Sequence, residues 1–196
     1  MAVRHVLRDE LGELEDVLMQ AFADDPQLEW LYPDHGAARR SWFRIALEAG
    51  RRRGHTYRST DGTGVAIWSP PGVNSLSRAD GVAIYEQMAG HHGAAGTARL
   101  DANAAARSTL HPTEPHFYLL ILGAATPGRG TGAELIAPVL RACDEQGWPA
   151  YLESSSPRNV TFYERHGFTA IHEIVVDGGP PLLGMWRNPL PRGSDR

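Results

Sequence analysis

The stretch Phe117-Tyr118-Leu119-Leu120-Ile121-Leu122-Gly123-Ala124, followed after a short break by Gly128-Arg129-Gly130-Thr131-Gly132-Ala133, decides how this chain is read. An unbroken apolar run of this length reads as a buried strand. The glycines after it read as a turn of little side-chain bulk, and the pattern Leu135, Ile136, Val139, Leu140, Cys143 continues as a helix from about Gly130 to Glu145. A strand feeding a helix through glycines suits an anion: the backbone comes close to a phosphate, and the free amides at the positive helix end attract it. Two other readings share these residues. Gly128-x-Gly130-x-x-Ala133 with Glu153 ending the next strand fits a dinucleotide fingerprint. A bare chain reversal that binds nothing fits as well.

Outward from the turn the two sides differ. Downstream come a strand at Ala150 to Glu153, a short helix from about Asn159 to His166, and apolar segments Thr169 to Val176 and Leu182 to Trp186. Asp177-Gly178-Gly179-Pro180-Pro181 joins those two as a hairpin. Upstream lies a mostly helical half. Val3 to Leu7 reads as a strand, and Leu11, Leu14, Val17, Leu18, Ala21 and Phe22 recur at helical spacing with Asp9 as the expected N-cap. Asp24-Asp25-Pro26 breaks that helix. A second helix spans Ala37 to Gly50, its end marked by Arg51, Arg52 and Arg53, a position where cations complement the dipole. Thr56 to Ser59 and Gly64 to Trp68 form a hairpin, and Ser77 to Ala89 and Ala94 to Leu110 read as helices interrupted by His91-His92-Gly93. A doubly wound dinucleotide fold alternates strand and helix from its start, and this order does not.

Composition narrows the classes. The 196 residues carry 19 basic and 23 acidic side chains, a net charge of -4, which gives no general attraction for nucleic acid or anionic lipid. All the basic residues are arginine. The longest apolar run, Phe117 to Ala125, is far below the roughly 20 residues of a spanning helix. The opening MAVRHVLRDELGELED lacks the apolar core of a secretory signal. The expectation is a cytoplasmic protein of one domain over 1–196, with no membrane or nucleic-acid partner. A single cysteine, Cys143, on the apolar face of its helix, reads as core, and the His91-His92 pair lacks further ligands, so no metal is expected.

Gly128-Arg129-Gly130-Thr131-Gly132, then Tyr151-Leu152-Glu153-Ser154-Ser155-Ser156-Pro157-Arg158-Asn159, then Phe162-Tyr163-Glu164-Arg165-His166-Gly167-Phe168 resemble, in order and spacing, successive motifs of the GNAT acyltransferases. The second and third are similar to the puromycin N-acetyltransferase group. Ala21-Phe22-Ala23-Asp24-Asp25-Pro26 and Trp68-Ser69-Pro70-Pro71-Gly72 extend the likeness upstream. The resemblance implies a mixed α/β fold with a mostly antiparallel sheet and helices on both faces. Residues 1–115 would serve mainly the acceptor and 116–190 mainly the acetyl-CoA co-substrate.

It implies that Gly128, Arg129, Gly130, Thr131 and Gly132 hold the pyrophosphate, that backbone at Leu122, Gly123 and Ala124 pairs with the pantetheine arm, and that Asn159 touches the same arm. Asn159 reads equally as a helix cap. Tyr163 matches the tyrosine that protonates the departing thiolate. Relatives carry a longer loop where this chain has Thr126-Pro127, and Pro127 donates no amide hydrogen bond. The resemblance further implies a small-molecule primary amine as acceptor, direct transfer, a homodimer by family habit, and a link to antibiotic resistance. Asp24, Asp25, Trp30 and Tyr32 are the candidate acceptor-binding residues. Glu153, which ends the strand beside the acyl-CoA strand, is the candidate base, directly or through water. A recognition carboxylate and a structural ion pair are the other readings of that residue. A CoA-binding protein of the same fold without catalysis is the remaining alternative.

Overall fold

A computed structural model describes residues 3–34, 36–126 and 128–191. The chain runs β1 (Val3–His5), a 3-10 turn (Arg8–Glu10), α1 (Leu11–Ala21), α2 (Pro26–Leu31), α3 (Ala37–Arg52), β2 (Thr56–Ser59), β3 (Gly64–Ser69) and α4 (Arg78–Leu110). It continues through β4 (Phe117–Ala124), α5 (Thr131–Gln146), β5 (Ala150–Ser154), α6 (Pro157–Glu164), β6 (Thr169–Ile174) and β7 (Leu182–Arg187). The strands form one sheet in the order β1-β2-β3-β4-β5-β7-β6. Only β4 and β5 pair in parallel, across the α5 crossover; every other pairing is antiparallel. That topology excludes the doubly wound dinucleotide fold and is the mixed, mostly antiparallel α/β sheet expected.

Alternation along the strands gives each face its own core. Val65, Ile67 and Ile121 pack with Leu14, Leu18, Phe43, Leu47 and Met88, so α1, α3 and α4 cover one face. Ala66, Trp68, Leu119, Leu152 and Met185 pack with Leu135, Ile136, Val139, Cys143 and Tyr163, so α5 and α6 cover the other. Cys143 is buried, and burial pushes its thiol up to about 12, as a core residue requires and a nucleophile does not.

Several boundaries depart from the sequence reading. Asp9 does not cap α1: residues 8–10 close a 3-10 turn, and Glu10 accepts from the Leu7 amide. Residues 26–31 form α2, capped by Asp25 Oδ1 accepting from the Leu28 amide at 2.9 Å, with Pro26 in its first turn. Asn159 is not a cap either, since α6 starts at Pro157 after Ser156. The break in α4 falls at Gly93 (φ 57°, ψ -152°) as the His91-His92-Gly93 pattern predicts. The arginines ending α3 are engaged locally: Arg53 donates to the Ala49 carbonyl at 3.0 Å and Arg52 pairs with Asp80 at 2.6 Å.

Candidate active site

The glycine turn is built as an open anion cradle. Gly128 and Gly130 both sit at φ 82°, where a side chain is strained, and both are exposed. Gly130 opens α5 without a side-chain cap, and the first intrahelical bond is Glu134 N to Gly130 O at 3.2 Å. The amides of Thr131, Gly132 and Ala133 therefore have no helical acceptor. Arg129 is exposed beside them, and Thr131 is buried. Pro127 lies outside the described residues. This donor set, with no Cβ crowding it, fits a pyrophosphate.

The sheet opens next to that cradle. β5 pairs with β4 only at Phe117, Tyr118 and Leu119, so from Leu120 to Ala124 the β5-facing side of β4 has no strand partner. A bulge sharpens the divergence: Ile67 faces Ile121 and Trp68 faces Leu119, leaving Leu120 unopposed. Leu122, Gly123 and Ala124 all lie in the open part. A Cβ on Gly123 would meet Leu18 Cδ2 at 2.7 Å, so this glycine also lets α1 pack closely on β4.

Asp25 meets side chains of the β5–α6 region far from it in sequence. Ser155 Oγ donates to Asp25 Oδ2, which ties the β5–α6 loop to the start of α2. Tyr163 on α6 is 8% exposed; burial, and secondarily the Asp25 carboxylate, raise its phenol above the ordinary range. Its ring packs edge-on to Phe162 and Phe168 at 5.1 and 5.9 Å. Phe162 in turn lies against Gly132, whose added Cβ would meet it at 3.3 Å, so this glycine lets α6 pack closely on the start of α5. Tyr163 and Asp25 are thus brought together, with Ser155 a partner that sequence reasoning quoted but did not assign.

Glu153 stands one residue past the last β4–β5 rung, on the face opposite α5. Its side chain is 1% exposed and saturated. Oε2 takes the Arg107 guanidinium and the Tyr118 hydroxyl (3.0 Å), while Oε1 takes the Tyr151 hydroxyl (3.2 Å) and faces His111 Nδ1 (3.4 Å). Tyr151 also meets His172 Nε2 at 3.1 Å. Burial pushes the carboxyl up, but Arg107 and then His111 and Tyr118 outweigh it and hold it at about 2. An anion held this firmly is a weak proton acceptor at neutral pH. Nothing in the sequence marked Arg107, which reaches Glu153 from an alanine-rich helix.

The remaining expected residues scatter. Asp24 and Asn159 are exposed. Trp30 packs on the β6–β7 hairpin, where a Cβ at Gly179 would come within 2.9 Å of its ring. Tyr32 is 3% exposed in the α1–α3–α4 core, a packing position that leaves little of it for a ligand. Two cavities, of about 560 and 490 Å³, lie instead along Tyr57 and Pro138. Neither is lined by the expected site residues.

Among the described residues no group of three or more His, Cys, Asp or Glu could hold a metal ion, and no helix is long and apolar enough to cross a membrane.

Comparison with known proteins agrees with this fold. The family described as acetyltransferase (GNAT) domain matches residues 82–187. An uncharacterized N-acetyltransferase of Schizosaccharomyces pombe is 27% identical over 96% of this chain and 84% of its own length. A Corynebacterium glutamicum structure described as histone acetyltransferase HPA2 and related acetyltransferase superposes with a TM-score of 0.72 at 28% identity, over 98% of each chain. The Drosophila melanogaster polyamine N acetyltransferase, at 14% identity and a TM-score of 0.68 over 95% of this chain and 99% of that one, shares the fold.

Proposed function

The chain belongs to the GNAT acetyltransferase family, and from that premise we propose that it transfers an acetyl group from acetyl-CoA directly to a primary amine of a small molecule. The observation that supports this best is the unpaired edge of β4 beyond Leu119, set beside the uncapped glycine turn. In this reading the amides of Gly128 to Gly132 and Arg129 hold the pyrophosphate. Backbone at Leu122, Gly123 and Ala124 lies along the pantetheine arm, and Asn159 flanks it. The thioester carbonyl then lies in the opening, where the amine attacks it and the C–S bond breaks.

Tyr163 is the proton donor for the departing sulfur. Burial keeps its phenol protonated at neutral pH, so it arrives at the reaction as an acid. Asp25, with Asp24 outside it, draws the cationic amine, and Trp30 borders the acceptor's way in. Glu153 acts as the buried anion that fixes Arg107, Tyr118, Tyr151 and His111, not as the direct base. The likeness to the puromycin N-acetyltransferase group makes puromycin the first acceptor to try. The polyamine N acetyltransferase among the structural neighbours, described as forming N-acetylagmatine, adds agmatine. Thiol release from acetyl-CoA in the presence of each amine tests the proposal. Amine-dependent release that Tyr163→Phe abolishes supports it; no amine-dependent release with any of them contradicts it.

A further inference from the structure

We propose that His111 is the general base that deprotonates the acceptor, with Glu153 as the positioning residue behind it; the proposal rests on the transfer reaction above. The last turn of α4 delivers two groups to one carboxylate. Arg107 and His111 are four residues apart, hence on one helix face. Arg107 pairs with Glu153, and the His111 amide donates to the Arg107 carbonyl at 2.9 Å, so the ring leaves the helix end at a fixed place. Its plane stands edge-on to Tyr118 and Tyr151, with centroids 5.0 and 5.1 Å away, and His116 lies 5.1 Å to one side. Among the described residues these aromatics and Glu153 are the titratable groups in contact with it, and Arg107 shares the same carboxylate.

Chemistry selects this residue from its neighbours. Glu153, at about 2, holds protons too weakly. Both oxygens of Asp25 are engaged, by the Leu28 amide and Ser155. Tyr118 and Tyr151 are raised by burial and stay protonated. His111 keeps 36% of its side chain exposed. It turns Nδ1 to Glu153, and Nε2 is then the free lone pair, the tautomer a carboxylate partner selects.

Its partner Glu153 stands one residue past the last β4–β5 rung and two residues before Ser155, which opens the β5–α6 loop and donates to Asp25. The ammonium gives one proton to Nε2, which passes it to water. The free amine attacks the thioester carbon, the C–S bond breaks, and the sulfur takes the Tyr163 proton. The proton shed by the new amide nitrogen restores the phenol.

The test joins two readouts on the full chain. In pH-rate profiles with acetyl-CoA and a turned-over amine, His111→Gln is expected to lower kcat about 100-fold at neutral pH. It should also remove the acidic-limb inflection, respond to added imidazole, and leave acetyl-CoA affinity unchanged. An inflection that persists in the variant, or a loss explained by a lower melting temperature, overturns the proposal. Nitrogen NMR of labelled histidine needs no acceptor. A neutral His111 protonated at Nδ1, shifting on Glu153→Gln, supports the dyad, and protonation at Nε2 overturns it. Failure of every amine together with the Nδ1 tautomer would count against the transferase reading and not against the dyad.

Discussion

The two ends of the β4–β5 pair are built on opposite rules. At the paired end, Glu153, Arg107, Tyr118 and Tyr151 satisfy one another, and the strands stay in register. At the splayed end, among the described residues, the β5-facing edge of β4 has no strand partner and the start of α5 has no side-chain cap. Buried polar groups need partners, and a row left open beside a glycine turn can take them from a ligand. The saturated end supplies rigidity, and the open end is where the proposed acyl-CoA would bind.

Tyr163→Phe should produce the largest change. Loss of the proton donor is expected to lower kcat by about 10² to 10³ while acetyl-CoA affinity holds. A drop in affinity instead would make Tyr163 a packing residue, as its edge-on contacts with Phe162 and Phe168 also allow. At the paired end, Arg107→Met leaves Glu153 a buried, less compensated anion and should destabilise the fold by about 2 to 3 kcal/mol in chemical denaturation near neutral pH.

That deficit is expected to depend on pH in one direction. The carboxyl of Glu153 is depressed in the folded state to about 2, so its contribution is present above the ordinary carboxylate range, near 4. It should fade as pH falls from about 4 toward 2. A deficit that grows on acidification would contradict the assignment.

At the open end, Gly130→Val forces a β-branched residue to φ 82° and should weaken acetyl-CoA by about tenfold. Stability should change less than for Arg107→Met. The smallest expected effect is Asp25→Asn. The amide oxygen keeps the cap on the Leu28 amide, so KM for a cationic amine should rise several-fold while kcat changes little. Equal losses for cationic and neutral amines would remove the electrostatic role.

The open end was largely legible from sequence because its signals are local. A strand, glycines with positive φ and a helix follow one another within residues 117–146, and the periodicities there are strong. The α4 break at Gly93 was legible for the same reason. The saturated end was not, because it is made by register and long-range return of the chain. Arg107 meets Glu153 from a distant helix, and His172 reaches Tyr151 only because Gly184 has no side chain in its path. Glu153 therefore read as a base when its partners were invisible. α2 was missed since Pro26 looks like a break, although proline is favoured in a first helical turn once Asp25 caps it. Tyr32 was a candidate for the acceptor pocket, yet burial assigns it to the core.

The central claim is that the splayed end of β4–β5 and its glycine turn bind an acyl-CoA. Calorimetric titration of the protein with acetyl-CoA and, at matched concentration, with NADH tests it most directly. Saturable acetyl-CoA binding, no NADH binding, and a clear loss of affinity in Gly130→Val are expected. NADH binding alone, or acetyl-CoA binding that Gly130→Val leaves untouched, would contradict it.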